Sequence, residues 1–522
     1  GAETLVPPVS FCLRLSCDSA HLSEKKVVEA RFYTLRQGIL LVFSKSFYCR
    51  AHNTMAQREY YRSTSAGASP AMPEYIHVFE SCFVEHALCV YFESQLCISH
   101  TTCQGIARVY NSALVHTSEA PSASRLKDEL AGDLVLESFF LHAILRDKTH
   151  RNEPLALPHH RPQNHRFDEV LAERNYRMVG TGQEMWAHTC HRCTKIYQGE
   201  DGNWYRMSGG IHDGVSVWHV GCGVHNCTEA VQSQRDLFCY THRNIIKICC
   251  IRGCSVMVQP GFRTCTEPSH RTFQTDSEER NTAMLQLHTR LRNGNISQVP
   301  MAGGTLEDRT APVNTAPSAA ALTLAASTQP LKGHLYCSWT HNEQLFVRCC
   351  GVIISRATFF GSEGVSGVNT FLKAIFPKEF PASLPSYIFY DNNCQFLKHL
   401  RHCDDHYFDN VGLPVDVFHF KCKHTDRDVF CQINCNPARF CELIGPDGKW
   451  IFNSSAAEQA NIWFGKFQNI VQEMPVIRYN FFLDEMIALH NREIVAELEA
   501  KGNLPHLLSE DFLCGFSLSS PL

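Results

Sequence analysis

Eight cysteine and histidine residues between positions 222 and 270 form two units with the same order of residue types. Each unit has three cysteines followed by one histidine, at gaps that let short turns aim ligands at one ion. The ligands are Cys222, Cys227, Cys239 and His242 in the first unit, and Cys249, Cys254, Cys265 and His270 in the second. Three thiolates and one imidazole are the ligand set of a closed tetrahedral zinc site, so the sequence predicts two structural zinc ions.

A further pair, Cys190 and Cys193, has the Cys-x-x-Cys spacing of half a zinc site, without an obvious second half. A third zinc ion completed by His188, His191 or a distant cysteine is one interpretation, and a metal-free turn is the other. A later group could hold another ion, although its spacing is irregular; it contains His419, Cys422, His424, Cys431, Cys435 and Cys441.

Three acidic residues occupy positions that suit metal-dependent chemistry. Asp391 follows the apolar strand at 387–390, Asp213 follows a Gly-Gly-Ile step, and Glu458 lies near the start of a predicted helix. Converging carboxylates of this kind can hold two Mg²⁺ or Mn²⁺ ions for phosphodiester chemistry. Taken singly, each residue is also an ordinary turn residue or helix-dipole partner, and spacing alone does not decide whether they converge.

The composition describes an ordinary soluble chain rather than a basic nucleic-acid-binding tail. Among 522 residues, 19% are charged and the net charge is −4, so any DNA contact must come from a local patch. The 26 cysteines and 28 histidines, with no signal-peptide pattern in residues 1–20, favour zinc in a reducing compartment over disulfides. No apolar stretch reaches the roughly 18 residues of a membrane span.

Five segments follow from the changes in pattern along the chain. Residues 1–75 have strand-like pieces and no assigned role, whereas residues 76–185 are predicted to form a mostly helical, cysteine-containing domain. Residues 186–295 hold the cysteine-rich module and the strand that leads to Asp213. Residues 296–335 are rich in Ala, Thr, Pro and Ser, as in a flexible linker. In residues 336–522, short strands alternate with helices, which predicts an α/β domain.

These motifs together resemble the KDZ (Kyakuja–Dileera–Zisupton) transposases, in the fungal-type branch that carries CxC cysteine clusters. The resemblance covers roughly residues 75–500 and rests on the doubled zinc unit and on segments such as IFYDNNCQFLKHL (388–400), GLPVDVFHFKCKH (412–424), FCQINCNPARF (430–440) and NSSAAEQANIWFGKFQNIVQEM (453–474). It implies an RNase H-like DDE catalytic core with an inserted double-zinc module. It also assigns Asp213, Asp391 and Glu458 as the three catalytic acids, with Asp213 as the weakest match.

The function implied by the resemblance is DNA transposition by two-metal cutting and joining of DNA. The expected cofactors are structural Zn²⁺ and catalytic Mg²⁺ or Mn²⁺. Transposon ends and target DNA are the expected partners of a nuclear homo-oligomer that does not associate with membranes. One alternative is a domesticated, catalytically inactive relative that binds DNA or chromatin through its zinc sites. A RING-like ubiquitin ligase fits less well, because the two ligand sets are consecutive rather than interleaved.

Overall fold

The computed structural model divides into two compact units. The main unit comprises residues 1–219 and 341–522, and the inserted unit comprises residues 220–340. The structure describes residues 27–45, 47–49, 72–79, 81–114, 129–153, 165–224, 227–233, 235–280, 338–360, 362–423 and 427–515, and isolated positions at 4–5, 23–24, 54–55, 155, 157 and 162. The predicted linker at 296–335 lies outside the described residues.

The secondary structure mixes short strands and helices along the whole chain. The strands are β1 (Thr4–Leu5), β2 (Ser23–Glu24), β3 (Val28–Thr34), β4 (Gly38–Ser44), β5 (Phe47–Cys49), β6 (Thr54–Met55), β7 (Tyr75–Phe79), β8 (Cys82–Glu85), β9 (His188–Thr189), β10 (Thr194–Gln198), β11 (Trp204–Val215), β12 (Val220–Gly221), β13 (Ser338–Trp339), β14 (Asn342–Arg348), β15 (Ile353–Phe359), β16 (Tyr387–Phe389) and β17 (His506–Leu507). The α-helices are α1 (His86–Cys97), α2 (Cys103–Leu114), α3 (Gly132–His150), α4 (Asp168–Met178), α5 (Pro268–Arg280), α6 (Val365–Ile375), α7 (Asn393–His402), α8 (Val417–Lys423), α9 (Val429–Asn434), α10 (Ala456–Phe464), α11 (Gln468–Val471), α12 (Val476–Ala500) and α13 (Glu510–Leu513).

The central sheet of the main unit combines antiparallel and parallel strands. Strands β10, β11, β14 and β15 are antiparallel neighbours in that order, and β16 pairs with β11 in parallel. The chain at Gly412 continues the sheet beyond β16, since Ile388 N–H donates to the Gly412 carbonyl at 3.0 Å. The residues of β14 are all buried, as expected for a strand covered on both faces. The mixed sheet with covering helices confirms the α/β class.

The N-terminal part of the main unit contains a second sheet, in the order β1, β4, β3, β8 and β7. The helical prediction for residues 76–185 is therefore wrong at its start, where Phe79 and Phe83 belong to β7 and β8. A spacing of four fits a helix face, but it also fits one face of extended chain with period two. The pairing of Phe83 with Phe32 in β3 decides for the strand. The predicted helices follow from His86 onward.

Helices of the C-terminal part cover the central sheet and complete the core. Helix α10 packs on β11 and β14, and α12 packs on α4 and β15. The single amphipathic helix predicted for residues 456–474 is instead divided, because α10 ends at Phe464 and a short 3-10 turn at Gly465–Phe467 precedes α11. The division keeps α10 as a separate short helix against the strand that carries Asp213.

Candidate functional site

Asp213 and Asp391 lie at the same level of two adjacent parallel strands. Ile211 of β11 pairs with Phe389 of β16, and each aspartate comes two residues later in its own chain segment. Adjacent strands are about 4.8 Å apart, so this register brings the two carboxylates to one place on the sheet. The apolar strand that runs into Asp391 predicted that residue, and the strand-like Gly-Gly-Ile step predicted Asp213.

Helix α10 brings the third predicted acid to the same place. Asn461 Nδ2 donates a hydrogen bond of 2.7 Å to Asp213 Oδ2 and contacts the Gly214 carbonyl at 3.3 Å. Glu458 lies three residues before Asn461, and residues with this spacing share one helix face. Glu458 also interacts electrostatically with Asp213. Asp213 therefore interacts electrostatically with both of the other acids that the resemblance assigned, although these three carboxylates do not form one of the groups of potential ligands within 4.8 Å of one another among the described residues.

Burial, and to a smaller extent neighbouring like charges, determine the electrostatics of this acidic site. Burial raises the pKa of Asp213 to about 7, and the nearby carboxylates of Asp391 and Glu458 contribute to the rise. The Gly214 N–H, which donates to Asp213 Oδ1 at 2.8 Å, opposes it only in part. A carboxylate cluster whose members disfavour one another's charge is an arrangement that a divalent cation stabilises.

A fourth carboxylate, Glu363, also belongs to this site and was not predicted. It interacts electrostatically with Asp213, and Asn342 Nδ2 donates to Glu363 Oε2 at 3.2 Å. Asn342 and Glu363 approach the backbone at position 214 so closely that a glycine is required there. An added Cβ would lie 2.6 Å from Asn342 Nδ2 and 3.2 Å from Glu363 Oε1. Glu363 stands in an irregular segment before α6, so no period or strand end could have marked it.

Glu343, the acid nearest to the start of β14, serves the core instead. It is fully buried and forms an ion pair of 2.5 Å with Arg356. Its second oxygen accepts a hydrogen bond of 2.8 Å from the Tyr479 hydroxyl. Arg356 in turn pairs with Asp484 at 3.0 Å. All the oxygens of Glu343 are thus engaged in holding α12 to the sheet.

A histidine and a buried aspartate hold the outer side of Glu458. His419 Nδ1 lies 3.2 Å from Glu458 Oε1 and 3.2 Å from Asp416 Oδ2. The same Asp416 oxygen accepts the backbone N–H groups of Phe418 and His419, at 3.0 Å each, and so caps α8. This contact was missed, because the sequence grouped His419 with the cysteines that follow it.

The irregular cysteine group that was considered for another ion does not form one ligand set among the described residues. His419 faces Glu458, and Cys422 and Cys441 are exposed. Cys431 lies instead with Cys394 and Asp428. His424 lies outside the described residues.

The inserted unit contains the two predicted cysteine–histidine sites. In each, the four ligand atoms lie within 4.8 Å of one another, and the cysteines are free thiols. In the first site Cys227 Sγ is 3.8 Å from Cys239 Sγ, and Cys239 Sγ is 3.2 Å from His242 Nδ1. In the second, Cys254 Sγ and Cys265 Sγ are 3.9 Å apart. A zinc tetrahedron with Zn–S bonds of about 2.3 Å has edges of roughly 3.8 Å, so both donor sets fit zinc.

Cys190 and Cys193 belong to the main unit and are buried in the turn between β9 and β10. Their sulfur atoms are 3.6 Å apart. His188 and Cys350 lie beside them, and all four potential ligand atoms fall within 4.8 Å of one another. The potential ligands that accompany this Cys-x-x-Cys pair are therefore His188, which is close in sequence, and Cys350, which lies in a turn far along the chain.

Two cysteine-cluster family models match the chain. Residues 1–114 match the CxC5 like cysteine cluster associated with KDZ transposases, and residues 211–276 match the CxC6 like cysteine cluster associated with KDZ transposases. No curated protein matches the chain, and no solved structure does.

These matches identify two cysteine clusters of kinds that are associated with KDZ transposases. The CxC6 match begins on β11 at Ile211, includes Asp213 and spans both sites of the inserted unit. Both clusters are of kinds associated with KDZ transposases, which supports the resemblance seen in the sequence.

Proposed function

We propose that this protein is a DDE-type DNA transposase whose RNase H-like core cuts and joins DNA with two divalent metal ions. The observation that carries the proposal is the register of β11 and β16, with Asp213 and Asp391 each two residues beyond a paired position, together with the electrostatic interaction of Asp213 with Asp391 and Glu458.

The three acids have the ligand chemistry that Mg²⁺ or Mn²⁺ requires, since both ions prefer carboxylate oxygens. Asp213 is the central residue, because it interacts electrostatically with both Asp391 and Glu458. When bound, two such ions activate water or a 3′-hydroxyl and stabilise the leaving oxygen of a phosphodiester. Glu363 adds negative charge to the same place and strengthens its attraction for cations.

The surrounding residues hold these carboxylates in position. Asn461 fixes one oxygen of Asp213 through its 2.7 Å hydrogen bond, and His419 fixes one oxygen of Glu458 from the opposite side. In other metal sites, removing a hydrogen bond that orients a metal ligand commonly lowers metal affinity or activity about 10- to 100-fold. The chain thus supplies preorganisation as well as the ligands themselves.

The inserted unit contributes structural Zn²⁺ sites and a surface for DNA. Arg243, Lys247, Arg252 and Arg263 are exposed on it, and such side chains suit phosphate contacts. We propose transposon ends and target DNA as its partners, a homo-oligomer as the active species and the nucleus as its location. Within the described part of the chain, no helix is long and apolar enough to cross a membrane.

Strand cleavage of DNA that carries the element's ends tests this proposal. The purified chain should nick such DNA in Mg²⁺ or Mn²⁺, and Asp391→Asn should lower the rate at least 1,000-fold, on the order expected when a metal ligand in the reaction site is lost. Asp447→Asn, in an exposed loop, is the matched control and should leave the rate unchanged.

Two outcomes would contradict the proposal. Equal nicking by Asp391→Asn would show that the acidic site does not perform the reaction. Metal-dependent DNA binding without nicking, in a folded protein with both zinc sites filled, would favour the inactive, DNA-binding relative.

A further inference from the structure

A cluster of one histidine and three cysteines joins two distant turns of the main unit. His188, Cys190 and Cys193 come from the segment between β9 and β10, whereas Cys350 lies in the turn between β14 and β15. Cys350 Sγ is 3.3 Å from His188 Nε2, and Cys190 Sγ is 3.6 Å from Cys193 Sγ. These separations are close to the roughly 3.8 Å edges of a zinc–thiolate tetrahedron.

We propose that His188, Cys190, Cys193 and Cys350 bind a third structural zinc ion, separate from the two in the inserted unit. The donor set is the closed Cys₃His type, and the three ligands from the first turn are each at most 2% exposed. The site lies outside the residues matched by either cysteine-cluster model. The inference does not depend on transposase activity.

The backbone at both turns already presents the ligands in a common direction. The N–H groups of Cys193 and Thr194 donate to the Cys190 carbonyl at 3.2 and 3.0 Å, which closes the tight turn between the two cysteines. On the other side, Gly351 follows Cys350 with φ +99°, a conformation that side-chain-bearing residues rarely adopt. The glycine permits the sharp turn that directs Cys350 towards the cluster.

A buried arginine supplies an independent indication of negative charge in this cluster. Arg348 is only 2% exposed, and its guanidinium interacts electrostatically with the sulfur atoms of Cys193 and Cys350. Its Nε has no hydrogen-bond partner among the described residues, and the ion pairs found among those residues do not include it. A buried cation needs a counter-charge. One zinc ion with three thiolates and a neutral imidazole carries a net charge of −1, which matches the charge of Arg348.

The third zinc ion would link β11, the strand that contains Asp213, to the neighbouring strand β14. The Cys193 carbonyl accepts the Gly209 N–H of β11 at 3.1 Å, four residues before Asp213. Cys350 lies two residues after the end of β14, whose Arg348 pairs with Gly210 of β11. A metal bridge between these turns therefore fixes the register of β11 against β14.

Zinc stoichiometry measured on the full chain tests this inference. Cys350→Ala should contain one zinc ion fewer per chain than the wild type in elemental analysis after dialysis. Cys349→Ala is the matched control, because Cys349 is buried next to Cys350 but does not belong to the ligand set. It should keep the wild-type zinc content. An unchanged zinc content in Cys350→Ala, or an equal loss in Cys349→Ala, would overturn the assignment.

A second measurement on the wild-type chain covers the case in which Cys350→Ala does not fold. Replacement of zinc by ¹¹³Cd should give three cadmium resonances in the Cys₃His region of the NMR spectrum. Only two resonances in that region would overturn the third site.

Discussion

The acidic site of the main unit and the cysteine–histidine sites of the inserted unit are built in opposite ways. The proposed ligands of the acidic site are carboxylates on β11, just after β16 and on α10, and these elements are held in place by a large apolar core. Each site of the inserted unit takes sulfur and nitrogen ligands from at most 22 consecutive residues. If both regions bind metal as we propose, the fold creates the metal site in the first region, whereas the metal site creates the fold in the second.

This difference predicts that the two regions respond differently to the loss of a ligand. The inserted unit should lose its structure when zinc is removed. The main unit should keep its fold without Mg²⁺ and lose only activity, because its stability comes from burial and internal ion pairs.

The largest expected effect is on the inserted unit. Cys239→Ser removes a buried zinc ligand, and structural zinc contributes about 10–16 kcal/mol of binding free energy in small zinc modules. We expect residues 222–270 to become rapidly cleaved in limited proteolysis. Cys250→Ala, next to a ligand but outside both sets, is the control and should remain resistant. Equal resistance of both variants would show that zinc does not hold this unit together.

The second effect concerns the main unit, where buried Glu485 is stabilised by ion pairs. This residue forms ion pairs of 2.5 Å with both Arg146 and Arg174. Glu485→Gln leaves two buried cations undercompensated, and we expect a loss of about 3–5 kcal/mol in the free energy of unfolding, measured by urea denaturation.

The same residue predicts how the main unit responds to acid. The surrounding arginines outweigh burial, which alone would raise the pKa of Glu485, and lower that pKa to about 2. Because the folded-state pKa lies below the unfolded one, the stabilisation is complete above about pH 4.5. It should be lost as the pH falls towards 2. A wild-type acid transition that does not change in Glu485→Gln would contradict this explanation.

The third effect tests preorganisation of the acidic site without removing a ligand. Asn461→Ala deletes the hydrogen bond to Asp213, and we expect Mn²⁺ affinity or nicking to fall about 10- to 100-fold while the unfolding midpoint changes little. Gln459→Ala, on the exposed side of the same helix, should retain the wild-type values. Similar losses in both variants would indicate a general effect on α10.

The fourth effect is the pH dependence of metal binding. The pKa of Asp213 is raised to about 7 by burial and by its acidic neighbours, so the metal-free site holds a proton below that pH. Metal binding must release this proton, and Mn²⁺ affinity should therefore rise by up to about tenfold per pH unit from pH 5 to 7 and level off above it. Calorimetric titrations at several pH values measure this slope, and Asp213→Asn should abolish it.

The sequence predicted those features whose signals are local. The two zinc ligand sets are readable because their members are close in the chain, and Asp391 is readable because it ends an apolar strand. Cys350, by contrast, joins Cys190 and Cys193 only after β14 and β15 have folded against β11. Glu363 and the contact of His419 with Glu458 likewise depend on long-range packing, for which one sequence carries no spacing rule.

The same contrast between local signals and long-range packing applies to the secondary structure. The strands and helices after residue 340 were mostly predicted, because their apolar runs are short and clearly bounded. Strands β7 and β8 were mistaken for a helix, because only the pairing of β8 with distant β3, and of β7 with β8, distinguishes the two periods.

The central claim is that Asp213, Asp391 and Glu458 hold two divalent ions in one site. A crystal of the full chain soaked in Mn²⁺ and measured at the manganese absorption edge tests it most directly. We predict two anomalous peaks about 4 Å apart, in contact with these three carboxylates. The absence of manganese between them, in a crystal whose inserted unit contains its zinc ions, would contradict the claim.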